Sequence, residues 1–193
     1  VVIASVMSVA CTVLPAIVAR YKREHPGVSI HVYEGVHGNV IENVRSGVAD
    51  MGLTYLDDIA AIFTQTPLST QYFHVVLPRG HSLAKQRQVA WSALKNEQMV
   101  SLPSDSRTRR LIDATAVTAG LNLAHTITVT QFTTMMQFVA KGVGIGIVPE
   151  GTLADALSLG LVVRPLVRPK VSRVLGLVTL KERQQAPVVR GMV

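Results

Sequence analysis

Several residue types and patterns are scarce in this sequence, and each scarcity excludes a class of protein. Cys11 is the single cysteine among 193 residues, so no internal disulfide can form. This suits a reducing cytoplasm and equally a cysteine-poor exported protein. No apolar run reaches the roughly 18 positions that a membrane-spanning helix needs, because Ser, Thr, Arg or Gly interrupts each one. The sequence therefore predicts no bilayer-crossing segment.

Aromatic residues are also few, at 5% of the chain. The net charge of +7 and the pI near 10 would suit a nucleic-acid-binding protein, because Lys and Arg neutralise phosphates. However, the basic residues are scattered in small groups at 20–23, 107–110 and 181–183. No aromatic residues alternate with them to stack on bases. We interpret these charges as solvated helix faces.

The sequence motifs of enzymes and metal sites are missing as well. No G-x-S-x-G nucleophile turn occurs, and no histidine accompanies a matching carboxylate pattern. Neither H-E-x-x-H nor paired cysteines are present to hold a metal. The glycine-rich stretch 142–146 follows a predicted helix and leads into a strand, which is the reverse of a dinucleotide-binding loop. We expect no catalysis, metal or cofactor.

The sequence does contain two runs of alternating strands and helices. Leu14, Ile17, Val18 and Tyr21 have the spacing of one helical face. Residues 28–33 alternate strictly between apolar and polar, which predicts a strand with one buried face. The predicted strands are residues 1–5, 28–33, 51–54, 99–102, 126–130 and 145–148, and the predicted helices lie at about 14–24, 40–47, 107–119 and 133–141.

The two runs are similar enough to suggest a repeat. Residues 44–48 (VRSGV) and 139–143 (VAKGV) end corresponding helices, with glycine in the same place. Residues 64–77 are predicted as extended chain that crosses between the runs. A second crossing at 166–170 precedes a buried strand at 173–180. We therefore predict an α/β fold of two βαβαβ lobes joined by two crossover strands, although chance repetition in an α/β protein remains an alternative.

Polar residues are concentrated in the loops that follow the predicted parallel strands. Such sheets bind ligands beyond the carboxyl ends of their strands, where helix N-termini offer unpaired N–H groups. Ordinary helix N-capping explains any one of these residues equally well. The polar residues are Ser8, His37, Asn39, Ser104, Ser106, Thr108, Thr130, Gln131, Thr133 and Thr134.

Four pairs of segments, taken together, form a recognisable pattern. They are Leu14-Pro15 through Tyr21 with Glu24-His25-Pro26; Val32-Tyr33-Glu34-Gly35 with Gly47-Val48-Ala49-Asp50-Met51-Gly52-Leu53; Val75-Val76-Leu77-Pro78 with Gly80-His81-Ser82-Leu83; and Val139-Ala140-Lys141-Gly142-Val143-Gly144-Ile145 with Val148-Pro149. In this order and spacing they resemble the effector-binding domain of LysR-type transcriptional regulators. The resemblance covers nearly the whole chain, although Ser82 stands where the family usually has Pro.

The resemblance implies a set of effector-binding residues. Ser8, His37 and Tyr55 would line a cleft between the lobes from the first lobe, and His37 stands where the family usually has Ser or Thr. From the second lobe, the residues expected at the same cleft are Ser104, Thr130, Gln131 and Phe132.

The resemblance also implies an architecture and partners. The fold would be that of type II periplasmic binding proteins, with residues 1–69 and 169–193 in lobe I and 70–168 in lobe II. We expect an antiparallel homodimer, a tetramer in the full-length protein, and DNA binding only through an N-terminal helix-turn-helix domain that is absent from this chain. Residues 184–193 read as the first turns of the family's final helix.

The resulting hypothesis is a cytoplasmic sensor in which a small polar or anionic metabolite favours the closed form of the two lobes. Two alternatives share the same design. One is the solute-binding protein of a transporter, which would need a signal peptide upstream. The other is a small transferase or dehydratase, which would turn over a substrate without a cofactor.

Overall fold

The structure, a computed structural model, describes residues 1–182. The chain forms two compact units. Unit 1 consists of Val1–Thr70 and the chain from Arg173 onward, and unit 2 consists of Gln71–Ser172. These bounds differ by a few residues from the predicted lobes, whose action as separate lobes stays a prediction.

Unit 1 contains a mixed sheet with a parallel core. Its elements are β1 (Val2–Val6), α1 (Met7–Ala10), α2 (Leu14–Glu24), β2 (His31–Gly35), α3 (His37–Arg45), β3 (Met51–Tyr55), β4 (Phe63–Leu77) and β10 (Ser172–Leu180). β1 pairs in parallel with β2 on one side and with β3 on the other. β10 then joins β3 in antiparallel register and β4 follows it, which gives the order β2-β1-β3-β10-β4.

The sequence explains why α2 begins and ends where it does. Pro15 lies in the first turn, where its missing N–H breaks no helical hydrogen bond. Pro26 disfavours a helical conformation for His25, the residue that ends the helix. The Lys22 ammonium then donates to the carbonyl oxygens of Pro26 and Val28, 2.9 and 2.7 Å away, and fixes the turn into β2.

The core of unit 1 lies on both faces of β3, all five residues of which are buried. Strands of parallel sheets read as continuous apolar runs because helices cover both faces. Leu14 of α2 and Val40 and Val44 of α3 belong to this core. The Cβ of an alanine at Gly52 would lie 2.8 Å from methyl groups of Val40 and Val178, so only glycine lets these elements approach so closely.

The prediction of a buried face for the second strand is wrong. β2 starts at His31, three residues later than predicted, and Val32 and Tyr33 are 39% and 50% exposed. The reason is topological: β2 forms the edge of the sheet, and among residues 1–182 it pairs only with β1. The alternation of residue types was therefore a correct signal for a strand but not for burial.

Unit 2 repeats the parallel arrangement. β6 (Gln98–Ser101) pairs in parallel with β7 (Ala124–Thr128). On its other side, Met99 of β6 forms an isolated parallel bridge with Ile145, directly before β8 (Gly146–Pro149). This arrangement is similar to that of β2, β1 and β3 in unit 1. The elements are β5 (Val89–Ala90), β6 (Gln98–Ser101), α4 (Arg107–Thr118), β7 (Ala124–Thr128), α5 (Phe132–Ala140), β8 (Gly146–Pro149), α6 (Leu153–Ser158) and β9 (Val162–Val167).

The remaining strands of unit 2 form a sheet with a core on each face. β4 pairs antiparallel with β8 and β9, and β9 pairs in parallel with β5. Successive residues of β4 point to opposite faces. Phe73, Val75 and Leu77 accordingly pack in one apolar cluster with Trp91, and Val76 packs in another with Met136.

The repeated glycines end α3 and α5 in the left-handed conformation, with φ of 77° at both Gly47 and Gly142. Gly142→Ala is expected to lower the free energy of unfolding by about 1–2 kcal/mol, because L-residues pay this cost at positive φ. No atom lies within 4 Å of the new methyl group, so the cost comes from the backbone alone. Urea denaturation followed by circular dichroism measures it.

Gly27→Ala is the matched control, because Gly27 is equally open but does not have a positive φ. It is expected to leave stability unchanged or slightly raised. An equal loss in both variants would contradict the conformational explanation.

The described chain bears on two further expectations. None of its helices is both long and apolar enough to span a membrane. Residues 1–182 also bring no three His, Cys, Asp or Glu side chains together in a geometry that could hold a metal ion. The predicted helix at 184–193 lies outside the described residues.

Candidate functional site

The predicted binding residues of unit 1 lie together at the carboxyl ends of its parallel strands. Ser8 belongs to the short helix α1 rather than to a loop, His37 is the first residue of α3, and Tyr55 is the last residue of β3. The side chains of Tyr55 and Ser8 are hydrogen-bonded. His37 Nδ1 lies 2.9 Å from Oγ1 of the fully buried Thr54.

An arginine that the sequence did not single out completes this group. The Arg173 guanidinium lies 4.0 Å above the centre of the Tyr55 ring, and its Nη2 is 2.6 Å from Asp57 Oδ2. The Arg173 side chain is only 4% exposed, whereas that of Asp57 is half-exposed. A buried cation thus stacks on the ring of a predicted ligand-binding residue and is neutralised by a carboxylate that reaches solvent.

The electrostatics of Tyr55 keep its hydroxyl protonated. Burial raises the pKa of Tyr55 above its ordinary value, and this outweighs the opposite effects of the hydrogen bond with Ser8 and of the Arg173 charge. The hydroxyl is therefore a neutral hydrogen-bonding group throughout the physiological pH range. Thr54 and Arg173 were missed because nothing in their local sequence distinguishes a buried polar residue from an exposed one.

The predicted residues of unit 2 lie on two loops. Ser104 is exposed in the turn after β6, and Thr130 is exposed in the bend after β7. Gln131 and Phe132 follow it and are half-buried where α5 begins. None of the hydrogen bonds among residues 1–182 involves the hydroxyl of Ser104 or Thr130.

A chain of polar side chains lies directly behind these loops. Ser101 Oγ is 2.6 Å from His125 Nδ1, and His125 Nε2 is 3.0 Å from Asp113 Oδ1. Arg109 Nε donates to Asp113 Oδ2 at 2.7 Å, and its Nη1 donates to the Leu102 carbonyl at 2.9 Å. These four side chains come from β6, β7 and α4.

The sequence shows no catalytic pattern of histidine and carboxylate, but the fold brings His125 within 3.0 Å of Asp113. Ser101, Asp113 and His125 have the residue types of a hydrolytic triad, and their separation along the chain hid the pattern. Ser101 is nevertheless only 5% exposed. Burial keeps the Ser101 hydroxyl away from the surface that a substrate could reach, so the similarity to a triad lies in the residue types alone.

The pKa of His125 is lowered from its ordinary value near 6.5, first by burial and then by the Arg109 charge, against the opposite effect of Asp113. Because the folded state favours neutral His125, its contribution to stability is complete above pH 6.5 and is lost as the pH falls below that value. We therefore expect the unfolding free energy to fall between about pH 6.5 and pH 5 by more in the wild type than in His125→Gln.

Chemical denaturation at both pH values measures this difference, and subtraction removes the contribution of groups shared by the two proteins. A steeper pH dependence in His125→Gln than in the wild type would show that the sign of the shift is wrong.

The comparisons with known proteins agree with this fold. The family model described as "LysR substrate binding domain" matches residues 1–193. The chain belongs to the LysR substrate-binding domain family. The transcriptional dual regulator GltC of Bacillus subtilis (strain 168) is 28% identical over 183 residues, which are 93% of this chain and 60% of GltC. The chain thus spans less than two thirds of that relative.

Two solved structures have the same fold as this chain. The effector-binding domain of QuiR, in complex with shikimate, superposes with a TM-score of 0.86 at 19% identity, over 100% of this chain and 92% of that one. The regulatory domain of CcmR from Synechocystis PCC6803, in complex with 2-PG, gives a TM-score of 0.89 at 15% identity, over 99% and 92%. The predicted fold class, two βαβαβ lobes of periplasmic-binding-protein type, is therefore confirmed.

Proposed function

We propose that this chain is the effector-sensing part of a transcriptional regulator. The family match supports this over the transporter alternative, because the matched relative GltC is a transcriptional regulator. QuiR and CcmR bind small molecules through domains of this fold. We further propose that the chain acts by binding rather than by catalysis, in the cytoplasm.

The observation that carries the proposal is the polar group at the carboxyl ends of the unit 1 strands, where Ser8, His37 and Tyr55 lie together. We propose that these residues bind an effector, and that the effector-binding residues of unit 2 are Ser104, Thr130, Gln131 and Phe132. Hydroxyl, imidazole and amide groups suit a small polar or anionic metabolite, since each can donate a hydrogen bond to a carboxylate or hydroxyl.

Such an effector would act by shifting a conformational equilibrium. A ligand can do so only by as much as its affinities for the two states differ. In the whole protein we propose that this shift changes how DNA-binding domains, which lie outside this chain, are presented to an operator.

We propose an antiparallel homodimer, with a tetramer in the full-length protein, and the edge strand of unit 1 supports association with another chain. Val32, Tyr33 and Val36 are exposed at or beside β2, and one edge of that strand has no strand partner among residues 1–182. Exposed strand edges with apolar side chains favour association with another chain.

The proposed binding site is tested in two steps. A thermal-shift screen of small organic acids, amino acids, shikimate and 2-PG first identifies a ligand, because binding to the native state raises its stability. Calorimetry then compares the wild type with the double variant Ser8→Ala/Thr130→Ala. Loss of two hydrogen bonds, each worth about 0.5–1.5 kcal/mol, is expected to weaken binding by roughly tenfold or more.

The matched control is Ser46→Ala/Thr118→Ala, which removes one exposed helix hydroxyl from each unit. It should leave the affinity unchanged. Equal affinity of the wild type and the Ser8→Ala/Thr130→Ala variant would refute this assignment of the binding residues.

A further inference from the structure

The two proposed ligand-binding loops of unit 2 are both attached to Ser101, at the end of one strand. We define loop A as residues 102–106, which carry Ser104, and loop B as residues 129–131, which carry Thr130. Loop A continues directly from Ser101 at the end of β6. Loop B is held by a hydrogen bond from the Val129 amide to the Ser101 carbonyl, 2.9 Å away. Ser101 is therefore the point at which the two loops meet.

The Ser101 side chain links this attachment point to His125 and, through the His125 ring, to Asp113. Its hydroxyl lies 2.6 Å from His125 Nδ1, and the neutral ring has one N–H to donate. Asp113 Oδ1 lies 3.0 Å from Nε2 and, as a carboxylate, can only accept. The proton therefore belongs on Nε2, which leaves Nδ1 to accept the Ser101 hydroxyl proton.

Arg109 links Asp113 to loop A. Its guanidinium donates to Asp113 and to the carbonyl of Leu102, the first residue of loop A. The Arg109 side chain is largely buried and that of Asp113 is partly exposed. The charged groups that face His125 are thus Asp113 and Arg109, both on α4, and the group that faces it from β6 is the uncharged Ser101.

We propose that His125, together with Ser101, Asp113 and Arg109, positions loops A and B so that Ser104 and Thr130 are presented together. This inference rests on the proposed function, in which these two loops contact the effector. The four side chains are positioning residues. They contact the loops but not the effector, so replacing any of them increases the mobility of a loop without removing a contact with the ligand.

The proposal has a specific chemical consequence. Protonation of His125 places a proton on Nδ1, so the Ser101 hydroxyl can no longer donate to it and must rotate. The same event converts the neutral contact with Asp113 into an ion pair, for which Arg109 competes. Acidification thus rearranges the connection at Ser101, where both loops are anchored.

The test measures amide hydrogen exchange of loops A and B in the 193-residue chain without any effector, corrected for intrinsic exchange rates. His125→Gln is expected to accelerate exchange in both loops by roughly fivefold to tenfold, as loss of about one hydrogen bond implies. Arg109→Lys should accelerate loop A more than loop B, because only loop A contains the Leu102 carbonyl. Residues 35–39 of unit 1 should not change.

His81→Gln is the matched control. His81 is another partly buried histidine of unit 2, with a carboxylate, Glu97, 3.2 Å from Nε2 and the Leu83 amide donating to Nδ1. Its loss should change exchange only near residues 81–86. Unchanged exchange of loops A and B in His125→Gln, or an equal effect from His81→Gln, would overturn the proposal.

A measurement on the wild type covers the case in which the variants do not fold. Exchange in both loops should rise between pH 7.5 and 5.5 in step with the titration of the His125 ring, followed by NMR. If the exchange rates of loops A and B did not change as the His125 ring titrates, the proposed positioning role would be wrong. The proposed function would be unaffected, since its test is the effector affinity of the Ser8→Ala/Thr130→Ala variant.

Discussion

Trp91→Ala is expected to lower the free energy of unfolding by about 3–5 kcal/mol, the usual cost of truncating a large aromatic side chain in a core. Trp91 is 1% exposed and packs in the larger apolar cluster of unit 2. Its indole N–H donates to the Pro169 carbonyl at 2.9 Å, which ties the turn before β10 to the core. Such a loss would remove much of the 5–15 kcal/mol that typically stabilises a domain.

Trp91→Phe separates the packing contribution from the hydrogen bond. It keeps an aromatic ring but leaves the Pro169 carbonyl without its donor, so we expect a smaller cost of about 1–3 kcal/mol. Because Trp91 is the only tryptophan, unfolding is followed by far-ultraviolet circular dichroism in urea. Tyr72→Ala, at a ring that is half-exposed, is the control and should change stability little. A cost below about 1 kcal/mol for Trp91→Ala would contradict the buried position of the ring.

Asp57→Ala is expected to cost about 3–5 kcal/mol, although Asp57 is the more exposed partner of its ion pair. Removal of the carboxylate takes away the charged group 2.6 Å from the buried Arg173 guanidinium, and losing the partner of a buried charge is the costly way to break such a pair. The reverse substitution, Arg173→Met, leaves the half-exposed Asp57 carboxylate in contact with water and fills the site with an apolar chain of similar length. We expect it to cost less, about 1–2 kcal/mol.

Urea denaturation of both variants tests this asymmetry. Glu42→Ala is the matched control, because Glu42 pairs with Arg45 on an open helix surface and surface pairs contribute little. If Asp57→Ala lowered the unfolding free energy by less than Arg173→Met does, burial of the Arg173 charge would not be the main determinant of the cost of breaking this pair. Because the Arg173 guanidinium stacks on Tyr55, Arg173→Met should also weaken the binding of any effector that contacts Tyr55.

Local features of the sequence predicted most of the fold correctly. The spacing of Leu14 and Tyr21 identified α2, and the glycines at 47 and 142 marked the ends of α3 and α5, where the structure has positive φ. These features succeed because each depends on a few neighbouring residues: a helical face, a left-handed C-terminus, a stop before proline. The resemblance in motif order added the family, which the family model confirms.

The binding residues were only partly accessible to the same reasoning. The rule that ligands bind beyond the carboxyl ends of parallel strands selected Ser8, His37 and Tyr55, which the structure places in one polar group. It could not select Arg173, which is far away in the sequence and enters the group through the antiparallel pairing of β10 with β3. The role of the seven predicted residues in ligand binding stays a prediction.

The sequence by itself determined that this is a two-run α/β protein with polar loops after its parallel strands, because hydrophobic spacing, glycine and proline act locally. Tertiary structure alone decided which polar residues are buried and paired. β2 is exposed because it lies at the edge of the sheet, although its residues alternate between apolar and polar in the way that is typical of a half-buried strand. Pairings between distant segments bring Arg173 over Tyr55 and connect Ser101 through His125 to Asp113. Burial and charge neutralisation depend on neighbours supplied by the fold, and the local sequence does not encode them.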